Sequence, residues 1–298
     1  MISNSTEYEK DPQYTAGEYH HLMTDSIQQH IKQLVTLYAD FGYPLDADQI
    51  HQLLSVPIEK QTLRSELENM VHLEVLVHHT NGWYATAGNA PLFELRSKRE
   101  KIAQTKRLIL TRFCNFAKQI PYIDSIVLTG SMAIGNVRDE DDIDVMIITA
   151  SHTMFIARLF TYVLVRMLGM KRGRTIAVQP DTICTNLWID STDLMVIPEK
   201  QTLYSARELA SAQVIFDRND TFARFITSNQ WISAFLPNWR MPAHERVSYD
   251  NRAHMVTRLV NKILGILQLA YMRPHITREK VSYTQLWFHP ILRDFQHR

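Results

Sequence analysis

The sequence predicts an α/β protein of the α+β kind, and three observations carry that expectation. Two apolar β-like runs, Ile126-Val127-Leu128 and Val145-Met146-Ile147-Ile148, bracket a Gly130-Ser131 turn and an acid-rich stretch ending at Asp144. The first ninety or so residues read as three helical segments and a hairpin. Beyond Pro198 the apolar spacing is helical. With 298 residues, 45% hydrophobic and 21% charged, the chain has the composition of an ordinary globular protein of two or three domains. The expected division is 1–92, 93–198 and 199–298.

From the N-terminus, Asp25 to Phe41 has the apolar spacing of a helix, and a second helix starts at Pro44-Leu45-Asp46 with Asp46 as its N-cap. A third covers about Lys60 to His72. Val75 to Thr86 then reads as a hairpin turning at Asn81-Gly82. A basic connection follows: residues 96–118 hold eight Lys/Arg against one Glu, net +7, whereas residues 1–60 hold three against nine, net −6. That stretch is either a solvated helix face or a wall for triphosphate or RNA.

Gly130-Ser131 follows the first apolar run directly, and Met132 to Gly135 can open a helix whose N–H groups face a phosphate. Asp142 and Asp144 are two residues apart, so on a strand their carboxylates leave the same face. Two such carboxylates beside phosphate-binding amides invite a divalent cation. Thr153 to Leu168 follows as one helix, and Gly169 to Arg174 ends it with Lys171, Arg172 and Arg174, which can meet a triphosphate or complement the helix dipole. Thr182 to Asp190 is the next strand. Leu203–Gln213, Phe222–Phe235 and Arg252–Met272 are the expected C-terminal helices.

In this order and spacing, Gly130, Ser131, Asp142 and Asp144 resemble the signature of the DNA polymerase β-like nucleotidyltransferase superfamily. The resemblance implies a mixed sheet with flanking helices, two Mg²⁺ (or Mn²⁺) ions, and transfer of a nucleoside monophosphate from an NTP substrate to an acceptor. That acceptor is RNA, a protein or a small molecule. Asp142 and Asp144 would hold the metals, while Gly130 and Ser131, with Arg172 beyond, would hold the triphosphate. A third carboxylate usually completes such a site. Asn186 stands where the resemblance points, but an amide carries no charge and is no base, so Asp190 is the catalytic candidate, with Glu208 a further one.

The N-terminal pattern resembles a winged helix. Tyr204-Ser205-Ala206-Arg207-Glu208, Asn229-Gln230-Trp231 and Phe288-His289-Pro290 are similar to motifs of a prokaryotic group of transferase-like proteins that also carry one. The third helix offers Lys60 and Arg64 but also Glu66 and Glu68, which repel phosphates, so sequence-specific duplex DNA is not the expected partner. The rival reading from another class is a non-catalytic nucleotide sensor or DNA-binding regulator with a weakened site. Cys114 and Cys184 have neither metal nor redox spacing and read as buried reduced thiols. The N-terminus lacks signal-peptide character, and Arg158 and Arg166 interrupt the longest apolar stretch, so a cytoplasmic protein without a membrane partner is expected.

Overall fold

Ser26 opens the first helix by accepting the Gln29 N–H on its side chain, and α1 (Ile27–Asp40) buries Ile31, Leu34, Val35 and Tyr38 at helical spacing. The computed structural model describes residues 26–170, 180–243, 245, 247–248, 254–276 and 279–288. Two units emerge: Met1–Arg96 with Ile197–Ala210 and Trp231–Arg240, and Ser97–Val196 with Ser211–Gln230 and Met241–Arg298.

In the first unit Asp46 caps α2 (Ala47–Leu53) through a reciprocal box with Gln49, with bonds of 2.8 and 3.0 Å. α3 spans Lys60–His72, as its spacing predicts. Strands β2 (Leu76–His78) and β3 (Trp83–Thr86) form the expected hairpin, while a two-residue strand the pattern does not announce, β1 (Leu45–Asp46), pairs with the free edge of β3. Arg96 is buried here: its guanidinium lies 4.5 Å from the centroids of both Tyr43 and Trp83 and donates to the Pro44 carbonyl at 2.6 Å. It thus belongs to the packing of this unit.

The second unit is built on a mixed six-stranded sheet. α4 (Leu92–Ala117) enters it after its first turn, followed by β4 (Ile123–Leu128), the single-turn α5 (Gly130–Ala133) and β5 (Ile143–Thr149). α6 (Met154–Met167) is the crossover that lets β6 (Ile183–Asp190) run parallel to β5. β4 and β5 are antiparallel and buried along nearly their whole length, because both faces are covered. Phe113, Ile126, Ile147, Phe155 and Trp188 lie in one continuous core.

Beyond Pro198 the all-helical expectation is corrected. α7 (Leu203–Ser211) stops short, and Gln213–Asp217 becomes strand β7 on the outer edge of β4. Val214-Ile215-Phe216 has strand chemistry, but a five-residue run is too short to show alternation against the helical pattern on either side. The predicted helix over 222–235 is divided into α8 (Thr221–Ser228) and α9 (Trp231–Phe235). Asn229 makes the break: fully buried, its side chain donates to the Leu194 and Phe225 carbonyls and accepts from Val196 N. After α10 (Met255–Met272), β8 (Lys280–Val281) and β9 (Gln285–Trp287) complete the sheet in the order β7-β4-β5-β6-β9-β8. Among the described residues no helix is long and apolar enough to cross a membrane.

Candidate active site

The end of β4, the α5 turn and the start of β5 meet at Gly130 and Asp144. Thr129 N–H donates to the Asp144 carbonyl at 3.0 Å, which brings the turn against the acidic strand. Gly130 has φ +67, the left-handed region that a side chain disfavours, and a Cβ there would overlap the Asp144 carboxylate. Glycine is therefore dictated by Asp144 as well as by the turn. Without a Cβ, the carboxylate can lie against the backbone that the sequence assigns to phosphate.

Asp142 immediately precedes β5 and Asp144 lies on it; both are half-buried. Their oxygens and the Cys184 sulfur all fall within 4.8 Å of one another. The register explains the third member. β5 and β6 run parallel with Asp144 opposite Cys184, and the pairing then shifts, so that Met146 faces Leu187. Asn186 stays beside the acid across that irregularity and donates from Nδ2 to Asp144 Oδ1 at 2.8 Å. Two carboxylates can hold a divalent cation, and a half-buried thiol could join them with a softer donor. These residues fit such an ion. Cys184 is not the inert buried thiol its isolated position suggests, whereas Cys114 is, and burial pushes that thiol up to about 12.

Asp190 is not brought to this pair. It stands opposite Thr149, so along the strand it lies about 17 Å from the Asp144 level at ordinary strand rise. Its carboxylate, 2% exposed, is committed to a different task. It accepts from His152 N at 3.1 Å, Thr153 N at 3.2 Å, Thr192 N at 3.1 Å and Thr192 Oγ1 at 2.7 Å. His152 sits at φ +59, so the bonds from His152 and Thr153 hold a strained turn at the entrance to α6. Glu208 lies on α7 in the first unit, where it and Arg207 act on Tyr38; burial is the main cause that raises that phenol to about 12. Lys171, Arg172 and Arg174 lie outside the described residues.

Ser131 is half-buried and its hydroxyl reaches Asp141 Oδ2 at 3.4 Å, while the same oxygen accepts Arg138 N at 2.9 Å. The acidic loop between the turn and β5 is thereby folded back on itself. Lys106 on α4 secures it from beneath: 3% exposed, its ammonium donates to the carbonyls of Asp139 and Asp141 at 3.0 and 2.8 Å and to Asp181 Oδ1 at 2.9 Å. Arg99, also buried, donates to Asn136 Oδ1. The basic stretch thus divides by role. Arg96, Arg99 and Lys106 are internal, while Lys98, Lys101 and Arg112 are exposed.

Sequence reasoning misses Cys184, Lys106 and Asp141. Cys184 shares strand parity with Asn186, but its place beside Asp144 depends on the β5–β6 register; nothing in the pattern singles out Lys106 from its basic neighbours.

Residues 108–177 match the family described as a nucleotidyltransferase domain. Neither the curated proteins nor the solved structures yield a match. The matched segment runs from α4 through β4, the Gly130-Ser131 turn, Asp142 and Asp144 to the end of α6 and beyond.

Proposed function

We propose, for a chain that carries a nucleotidyltransferase domain of the polymerase β-like superfamily, that the site transfers a nucleoside monophosphate from an NTP to a hydroxyl-bearing acceptor. The observation that carries this reading is the convergence of Asp142 and Asp144 beside the Gly130 turn, where the lack of a Cβ lets the Asp144 carboxylate lie against the backbone. Asp142 and Asp144 would hold Mg²⁺ or Mn²⁺, whose charge would offset that of the phosphates and lower the pKa of the attacking hydroxyl. Ser131 and the amides of the turn orient the triphosphate. The acceptor oxygen bonds the α-phosphorus in line as the bond to pyrophosphate breaks. Asn186 holds one oxygen of Asp144 by its hydrogen bond. Arg172 is assigned to the triphosphate on its charge alone.

Residues 1–92 are assigned to a winged helix, 93–198 to the transferase core and 199–298 to a largely helical region whose strands extend the core sheet. The third helix keeps the module from reading duplex sequence: Lys60 is paired with Asp48 at 2.9 Å, and Glu68 is exposed beside Arg64. Lys98, Lys101, Arg107 and Arg112 are the exposed cations of the basic stretch on which an RNA acceptor would depend.

A second reading has its own support. Among the described residues the partner of Asp142 and Asp144 is a cysteine, not a third carboxylate, which suits a nucleotide sensor with attenuated turnover. The deciding experiment supplies each NTP, labelled in turn at the α- and γ-phosphate, with Mg²⁺ or Mn²⁺ and with RNA, protein or metabolite fractions. Nucleotidyl transfer leaves α-label and no γ-label on a product. Label arriving only from the γ-position means phosphoryl transfer, and tight NTP binding with no labelled product promotes the sensor.

A further inference from the structure

The outer face of α10 is apolar and exposed over the whole length of the helix. Its inner face is fixed in the second unit. Asn261 Oδ1 accepts the amides of Phe155 and Ile156 at 2.9 and 3.2 Å, and so caps the start of α6. Gln268 donates to the Phe155 carbonyl at 2.9 Å and accepts from Arg158 at 2.8 Å. At Gly265 an added Cβ would come within 2.8 Å of Tyr283 and 2.9 Å of Phe155. The helix cannot roll to bury its other side.

That other side carries Val256, Leu259, Ile263 and Ile266, exposed by 72, 59, 51 and 54%. Their 3-4-3 spacing is the a/d seam of a helix that pairs with a helix, with β-branched residues at both a positions. Val260 and Leu267 widen the strip, 42 and 61% exposed, and Met255 stands at its start, 88% exposed. At 100° per residue this arc covers about 140° of the helix without a charge. Arg258 and Lys262 both lie along one border, where pairing leaves them in water. The exposure of these seven side chains amounts to roughly 800 Å², beyond what a monomer's surface ordinarily shows as one patch and equal to what one partner contributes to a standard interface.

We propose that α10 is a homodimer interface, occupied by α10 of a second copy of this chain. A seam with coiled-coil spacing is self-complementary, as an isologous contact requires, because each knob meets holes of its own geometry. The pairing is independent of the transferase site, which lies on different elements of the unit.

Sedimentation of the full chain, across a dilution series in the micromolar range, tests this. The expected mass is twice 34.7 kDa, and Ile263→Glu should return it to the monomer, with at least a hundredfold weaker association and an unchanged circular dichroism melt. Should Ile263→Glu fail to fold, Ile263→Cys decides instead: it lies at the middle of the helix, and mild oxidation should link two chains in a band that the native Cys114 and Cys184 do not produce. A wild-type chain monomeric at every concentration overturns the proposal. So does a dimer that survives Ile263→Glu or gives no cross-link at 263, and so does a monomer that instead floats with phospholipid vesicles.

Discussion

Replacing Gly130 by alanine separates the geometry of the site from the geometry of the turn. An alanine at φ +67 incurs the cost of the left-handed region, about 1 kcal/mol. The added Cβ also displaces the Asp144 carboxylate that now occupies its place. A shift of about 1 Å in a positioning group typically costs on the order of a hundredfold in rate. Gly169 is the internal control, since it has φ +71 in the same unit but nothing within 4 Å of an added Cβ. Both variants should lower the melting temperature by about 2–4 °C per kcal/mol lost, and Gly130→Ala should lose more. Only Gly130→Ala should lose transfer activity and divalent-cation affinity. Thermal melts and steady-state transfer on the two variants, side by side, supply the comparison. Equal rates in the two would refute the claim that Gly130 exists to admit Asp144.

Asp190→Ala should remove two hydrogen bonds to the turn at α6 and two to Thr192, and destabilise by about 2–4 kcal/mol, with kcat near wild type below the melting temperature; a large kcat loss in a stable protein would return Asp190 to the chemistry. Asn186→Asp places a third carboxylate against Asp144, so it should destabilise the metal-free protein and tighten Mn²⁺ binding at least tenfold by calorimetry; unchanged affinity would mean that position 186 does not face the ion. Burial raises Asp124 from 3.8 to about 7, opposed by Arg218 and Arg224. The fold therefore keeps a proton that the unfolded chain gives up near pH 4, and stability falls as pH rises through that window to about 7. Asp124→Asn should flatten this trend, so its advantage in melting temperature should grow from pH 5 to pH 8; an effect equal at both would contradict the assignment.

The parts of this molecule legible in its sequence are those fixed by neighbours along the chain. Asp46 and Gln49 announce their capping box, the third helix ends where its apolar spacing ends, and Asp142 and Asp144 share a side because strand parity places them there. The rest depends on which strands become neighbours. The irregular register between β5 and β6 brings both Cys184 and Asn186 to Asp144, and no spacing rule within one strand predicts a shift in pairing with another. Asp190 is the catalytic candidate by its charge, but its distance along the strand and the amides of His152 and Thr153 set its contacts. Lys106 looks like one of eight similar cations until the acidic loop folds over it. β7, β8 and β9 escape notice because strands of two to five residues draw their stability from the sheet they join rather than from their own pattern.

The most direct test of the central claim is a transfer assay with α-labelled NTP on the wild-type chain and on Asp142→Asn and Asp144→Asn, each titrated with Mg²⁺ and Mn²⁺. Label should move to an acceptor only with the divalent cation present, and each variant should lose at least a thousandfold in rate while melting at or above the wild-type temperature, since each removes a charge from a crowded acidic site. Transfer that proceeds at the wild-type rate in either variant would contradict the assignment of Asp142 and Asp144 as the metal-holding pair.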